Sequence, residues 1–412
     1  MNLNETPMAE RVHIGFFGLR NAGKSSLVNR ITNQEMSLVS DVKGTTTDPV
    51  KKSMELLPLG PVTIIDTPGY DDEGSLGQMR VRRTKEILAT CDIAVFVTEH
   101  EKLNPVEEEL LSLIQKRDIP CLIVQNKADL SGREGRELGA AETSVAHAVP
   151  IETTERVSVS ATNNVGIEEL KERLARLTPG KEKQVRLVAD LIRPGETVVL
   201  VIPIDTSAPK GRLILPQQEA IRDILDVGAI SVVTGVETLT DTLNGLKEDP
   251  ALVITDSQAF SKVMHLVKEE IPLTSFSILM ARYKGFLEEA VRGAKAIGSL
   301  QDGNKVLICE GCTHHRQCED IGTVKLPNWL AKHTGRTLDL TFTSGHGFPE
   351  EISDYDLIIH CGGCMLNDKE VQNRMNLAVA AGVPFTNYGT AIARMNGILA
   401  RSIAPIERKK ML

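Results

Sequence analysis

Apolar positions along the chain fall into short continuous runs, separated by stretches where they recur every three or four residues. This is the pattern of buried strands alternating with amphipathic helices. Val12 to Phe17, Val62 to Ile65, Ile93 to Val97, Cys121 to Val124 and Val157 to Val159 read as strands of a first block, closed by the amphipathic stretch Gly166 to Leu177. Thr178-Pro179-Gly180-Lys181-Glu182-Lys183 then reads as a linker. A second block alternates strand-like Val198 to Ile204, Ile230 to Val233 and Leu252 to Thr255 with helix-like Gln217 to Leu225, Glu237 to Leu246 and Gln258 to Glu269. After Pro272-Leu273-Thr274 the pattern predicts one long helix over Phe276 to Ile297, then strands at Lys305 to Ile308, Leu338 to Phe342, Tyr355 to Ile359 and Val383 to Thr386. The expected fold class is α/β throughout, in three domains over residues 10–178, 186–270 and 271–412.

Composition narrows the function classes. At 412 residues the chain exceeds what one core usually supports, and 41% apolar with 25% charged residues is the balance of a globular protein. No window approaches the ~18 to 20 apolar residues of a membrane span, and Met1 to Arg11 lacks a signal core, so the expected location is cytoplasmic, with no membrane partner. A net charge of −8 and 3% aromatics argue against nucleic acid as a partner. The seven cysteines are expected as reduced thiols. Cys91 and Cys121, beside apolar strands, read as small buried hydrophobes.

Gly18-Leu19-Arg20-Asn21-Ala22-Gly23-Lys24-Ser25, between the first strand and a helical stretch, is a phosphate-binding loop. Amides from Gly18 through Ser26 would cradle phosphate oxygens, Lys24 would reach the β and γ phosphates, and Ser25 would ligate Mg2+. Asp66-Thr67-Pro68-Gly69 ends a strand, where the carboxylate would hold Mg2+ through water and the Gly69 amide would sense the γ-phosphate. Thr45 and Thr46, in Gly44-Thr45-Thr46-Thr47-Asp48, supply the other switch, with Thr46 on Mg2+. In Asn126-Lys127-Ala128-Asp129 the carboxylate suits the guanine N1 and N2 donors, and Ser160-Ala161-Thr162 matches the last guanine loop, so the ligand is GTP or GDP. Lys24, Thr46, Asp66 and Gly69 are the expected catalytic set. Tyr70 stands where a water-orienting glutamine would, which predicts slow intrinsic turnover. Asn21 together with Gly44-Thr45-Thr46 resembles the potassium-activated GTPases related to MnmE, and implies K+ at Asn21.

The tail holds Cys312-Thr313-His314 and, beyond residues 315 to 359, His360-Cys361-Gly362-Gly363-Cys364. Three thiolates suit an iron-sulfur cluster with one corner left for His314, His360 or a visiting molecule. Cys309-Glu310-Gly311-Cys312 paired with Cys361 and Cys364 would instead suit tetrathiolate zinc, and redox-active thiols are a third reading. Both groups follow strands, so they can converge at the carboxyl edge of one sheet.

A nucleotide switch joined to this tail resembles the FeFe-hydrogenase maturation GTPases of the HydF family, over essentially the whole chain. The resemblance implies a P-loop GTPase domain, a small α/β dimerisation domain and a C-terminal α/β cluster-binding domain. It implies a 4Fe-4S cluster on Cys312, Cys361 and Cys364, with a fourth ligand that varies in the family and for which His314 is a candidate, and leaves Cys309 outside the pattern. The implied role is a homodimeric scaffold that receives a diiron precursor from the radical-SAM maturases HydE and HydG and delivers it to apo FeFe hydrogenase. The alternative is an RNA-modification or ribosome-assembly GTPase with structural zinc.

Overall fold

The computed structural model describes residues 6–32, 49–70, 74–117, 119–131, 155–177, 185–204, 213–311, 321–345, 347–349 and 351–410. The chain divides into two compact units, Met1–Glu182 and Lys183–Leu412. The first unit runs β1 (Val12–Phe17), α1 (Lys24–Thr32), β2 (Val50–Leu56), β3 (Gly60–Asp66), α2 (Gly74–Leu88), β4 (Ile93–Thr98), α3 (Pro105–Gln115), β5 (Cys121–Gln125), β6 (Glu155–Ser158) and α4 (Ile167–Leu177). Its strands form one sheet in the order β2-β3-β1-β4-β5-β6, in which only the β2–β3 pair is antiparallel. Parallel strands covered by helices on both faces carry unbroken apolar runs, which is why β4 is buried at every position. Cys91 and Cys121 are both buried here, and burial pushes both thiols well above their usual range.

The second unit contains two four-stranded sheets. The first has β7 (Thr197–Val201), α5 (Leu215–Asp226), β8 (Ile230–Thr234), α6 (Leu239–Gly245), β9 (Leu252–Thr255), α7 (Phe260–Leu266) and β10 (Leu273–Ser275). After α8 (Phe276–Tyr283) and α9 (Leu287–Ala294) come β11 (Lys305–Glu310), α10 (Leu326–Thr334), β12 (Asp339–Ser344), β13 (Leu357–His360), α11 (Asp368–Ala380), β14 (Phe385–Asn387), α12 (Tyr388–Met395) and α13 (Leu399–Lys410). The sheet orders are β10-β9-β7-β8 and β12-β11-β13-β14, all parallel. Counted along the chain, each sheet places its strands in the order second, first, third, fourth. Each therefore has a topological switch point between its first and third strands. The two sheets share one apolar core that runs from Leu187 to Ile406.

The single helix expected over Phe276 to Ile297 is broken. Gly285 adopts φ 80°, a left-handed value that ends α8, and its N–H bonds the Arg282 carbonyl. The interruption lets α9 turn and lie directly on β14. The approach is so close that a Cβ on Gly293 would sit 2.1 Å from the Phe385 carbonyl oxygen. Gly293→Ala should therefore destabilise the second unit by about 1–3 kcal/mol. In denaturant titration its unfolding midpoint should fall while nucleotide affinity stays at the wild-type value; an unchanged midpoint would contradict this packing.

Candidate functional sites

In the first unit the predicted residues gather at the carboxyl edge of the sheet. Arg20, Asn21, Gly23, Lys24, Ser25, Ser26, Asp66, Thr67, Gly69 and Lys127 all line one cavity of about 480 Å3. Asn21 takes a left-handed φ of 65°, which tightens the loop and leaves its side chain exposed at the lip. Lys24 is buried, and its ammonium donates to the carbonyls of Gly18 (3.0 Å) and Leu19 (2.8 Å). The Ser25 hydroxyl donates to Asp66 Oδ2 at 2.5 Å. Burial raises the Asp66 pKa, against the opposing pull of the Ser25 hydrogen bond and the Lys24 charge. Asp66 Oδ1 is buried with no hydrogen bond. An orphaned carboxylate oxygen beside a serine hydroxyl is the donor set that a hard, oxygen-loving Mg2+ would complete, so these residues fit that ion.

Asn126 bridges two segments of the site. Its Nδ2 donates to the Ala22 carbonyl at 3.2 Å, and its Oδ1 accepts from the Ala161 amide at 3.2 Å. The carboxamide thus ties the phosphate loop to the loop after β6. Gly23, at φ 87°, lies so near that a Cβ would sit 2.2 Å from Asn126 Nδ2. Asp129 Oδ1 accepts from the Ser160 hydroxyl at 2.7 Å, which orients the carboxylate expected to read guanine. Lys127 pairs with Glu99 at 2.5 Å. Tyr70 turns inward: its ring is buried among Phe17, Ile65 and Phe96, and its hydroxyl donates to Glu109 at 3.0 Å. Val50 and Arg80 also line the cavity, although neither belongs to a recognisable motif. Thr45 and Thr46 lie outside the described residues.

In the second unit Cys361 and Cys364 lie at the carboxyl ends of β11 and β13, the switch point of their sheet. The Cys361 amide donates to the Cys309 carbonyl at 2.8 Å. Its sulfur accepts from the amides of Gly311 (3.0 Å) and Gly363 (3.3 Å). Burial raises the Cys361 thiol pKa, while those two amides oppose the rise. Burial, followed by the neighbouring Cys361, pushes Cys364 up to about 12. A sulfur that already accepts amide hydrogen bonds is arranged to carry negative charge, so Cys361 fits thiolate ligation, with Cys364 three residues on as its neighbour. Cys312 and His314 lie outside the described residues, and among those described no three His, Cys, Asp or Glu side chains group as a metal site.

Two other candidates are placed elsewhere. Cys309 is fully buried with Ala281, Phe286, Leu307 and Ile358 on one face of the sheet, while Cys361 and Cys364 pack toward Val306, Ile308, Leu357 and Ile359 on the other. Strand alternation separates Cys309 from the pair, which opposes the tetrathiolate grouping. His360 is also fully buried. Its Nδ1 bonds the Cys361 carbonyl at 2.8 Å and its Nε2 faces Arg374 Nη1 at 3.1 Å, so both ring nitrogens are engaged and it is not an open ligand. Burial first, and Arg374 second, push its pKa down to about 3.

Charged neighbours without sequence motifs complete the setting. Lys284 is buried beneath the turn, donating to the Leu366 carbonyl at 2.7 Å and Asp368 at 3.2 Å. Tyr388 donates to Glu310 at 3.3 Å, and the Glu310 charge acts on Cys361. Glu219 of α5 acts on Cys364, so the block that precedes the cysteines in sequence also shapes their surroundings.

Comparison with known proteins places these features in a family. Residues 13–127 match the model described as a 50S ribosome-binding GTPase. The GTPase Der of Wolinella succinogenes is 34% identical over 180 residues, 42% of this chain and 37% of that protein. The tRNA modification GTPase MnmE of Desulfotalea psychrophila is 30% identical over 167 residues, 40% of this chain and 34% of that protein. The chain therefore spans about a third of the length of these two relatives. Among solved structures, Era of Aquifex aeolicus bound to GDP and AlF4− aligns with 54% of this chain and 92% of its own, at 20% identity and TM-score 0.34. Residues 187–285 match the hydrogen maturase F dimerization domain, and residues 288–405 match the hydrogen maturase F tetramerization domain. With these two domains following a GTPase domain, the chain belongs to the hydrogen maturase F family.

Proposed function

We propose that this protein is a GTP-hydrolysing scaffold for hydrogenase maturation, which holds a 4Fe-4S cluster and carries a diiron precursor to apo FeFe hydrogenase. The observation that carries the reading is the Cys361 to Cys364 turn, seated at the switch point of a parallel sheet in a chain that also holds a complete phosphate cradle. In the first unit, Lys24 and the loop amides would bind the β and γ phosphates, Ser25 and Asp66 would hold Mg2+, and Asp129 would select guanine. Tyr70, turned into the core, is unable to orient water, which supports slow intrinsic turnover. A K+ ion near Asn21 would offset charge developing in the transition state.

In the second unit Cys361, Cys364 and Cys312 would be the cluster ligands, with His314 a candidate for the fourth. A cluster with one exchangeable corner supplies a reversible docking point for cargo. HydE and HydG are the proposed donors of that cargo. The cytoplasm is the proposed compartment, since it keeps thiols reduced; among the described residues no helix is long and apolar enough to cross a membrane. Self-association is supported by the edge strand β8, which exposes Ile230 and Val233, and by the exposed Leu225 on α5.

The decisive experiment is maturation of apo FeFe hydrogenase with and without this protein after anaerobic loading: hydrogen evolution that is independent of it would sink the carrier reading. Lys24→Ala should lower GTP turnover about 10²-fold or more and leave bound iron unchanged. Cys361→Ser should do the reverse, and full iron content in that variant would refute the ligand assignment. GTP turnover should be faster in potassium than in sodium buffer at equal ionic strength; equal rates remove the K+ site. Val233→Asp on the exposed edge should shift the protein toward monomer in sedimentation, whereas unchanged oligomer size would place the interface elsewhere.

A further inference from the structure

We propose that His360 is the positioning residue of the cysteine turn, locked by Arg374 into the tautomer that holds the Cys361 carbonyl. The proposal rests on the reading of Cys361 and Cys364 as ligands, and it assigns His360 a role other than ligation. Arg374 and Glu370 are both buried, at 3% and 6% exposure, and form an ion pair at 2.5 Å one turn apart on α11. The same guanidinium donates to the Gly345 carbonyl at 2.7 Å, lies 5.4 Å from the centre of the Phe348 ring, and reaches His360 Nε2 at 3.1 Å. Its position is therefore set from four directions.

A guanidinium has donors and no acceptor, so the contact assigns the parts. Nε2 of His360 accepts, which leaves the ring proton on Nδ1, and Nδ1–H donates to the Cys361 carbonyl at 2.8 Å. The Cys361 amide is already bound to the Cys309 carbonyl. Both backbone polar groups of Cys361 are thus fixed, one by β11 and one by His360. With its backbone held, the Cys361 sulfur stays under the amides of Gly311 and Gly363. Phe385, with its ring centre 5.8 Å from that of His360, closes the remaining side. Ligation through Nε2 would require Arg374 to give up a buried acceptor beside its ion pair, a loss costlier than that of an exposed hydrogen bond.

The test begins with the metal-free full chain. Selective 15N-histidine labelling, with His360 assigned by its disappearance in His360→Gln, should show the neutral Nδ1–H tautomer. An Nε2–H tautomer overturns the proposal whether or not iron binds. After anaerobic reconstitution, His360→Ala should lose iron affinity by roughly 10-fold or more. His360→Gln, whose carboxamide can donate to Cys361 and accept from Arg374, should stay within about twofold of wild type, consistent with positioning. Equal loss in both variants indicates a ligand, and no loss in the Ala variant removes the role; either result overturns the proposal. The double variant Arg374→Gln with Glu370→Gln avoids leaving a lone buried charge, and should release His360 into a mixture of tautomers. Unchanged nucleotide affinity in every variant reports intact folding of the first unit, and an unchanged far-ultraviolet spectrum reports that of the second. A wild-type protein that shows the Nδ1–H tautomer but binds no iron would sink the ligand reading of the cysteines while supporting the lock on His360.

Discussion

Parallel strand pairing is the constraint on which both sites depend. Apart from the β2–β3 pair, every described strand pairing is parallel, and apolar clusters pack against the sheets. Apolar side chains then fill the layers above and below each sheet, and polar chemistry has room only where strands stop. Asp66 ends β3, the phosphate loop follows β1, Asn126 follows β5, and the cysteine turn follows β13. At these edges backbone amides leave the ladder and become free to bind something else. In the second unit two of them, from Gly311 and Gly363, are directed at the Cys361 sulfur.

The two edges solve opposite solvation problems. The nucleotide cavity is lined by charge, and Arg20 and Lys127 keep solvent contact there, so they can meet an anion without first being stripped of all water, whereas Lys24 is buried on carbonyl oxygens. The cysteine turn is packed against apolar core, where an unpaired charge is far more costly than in water. Its cations are accordingly matched: Arg374 with Glu370, and Lys284 with Asp368 and a carbonyl. The cost of burial also decides the state of His360, which stays neutral because a charged ring would face Arg374 in a dry interior.

Much of the nucleotide site was legible because its residues are consecutive. Glycines and a lysine at fixed spacing after an apolar run have one common structural outcome, and β1 begins and ends where the apolar run does. The helical pattern from Phe276 to Ile297 does not mark the break at Gly285, because glycine is tolerated in such a pattern and its left-handed φ is set only in the folded chain. The Asn126 carboxamide bridges Ala22 and Ala161, a partnership between segments more than a hundred residues from one end to the other that spacing alone does not reveal.

The amino-acid order by itself determined the alternation of strands and helices, the phosphate loop and the nearness of Cys361 to Cys364, because each depends on residues that are neighbours along the chain. Tertiary structure decided which thiol faces which side of the sheet, that His360 spends both nitrogens, and that Arg374, Lys284 and Glu219 surround the cysteines. These relations arise when separate strands and helices pack. An isolated Arg374 or Lys284 carries no mark of its partner, and only burial, which makes an unmatched charge costly, gives the pairing its force.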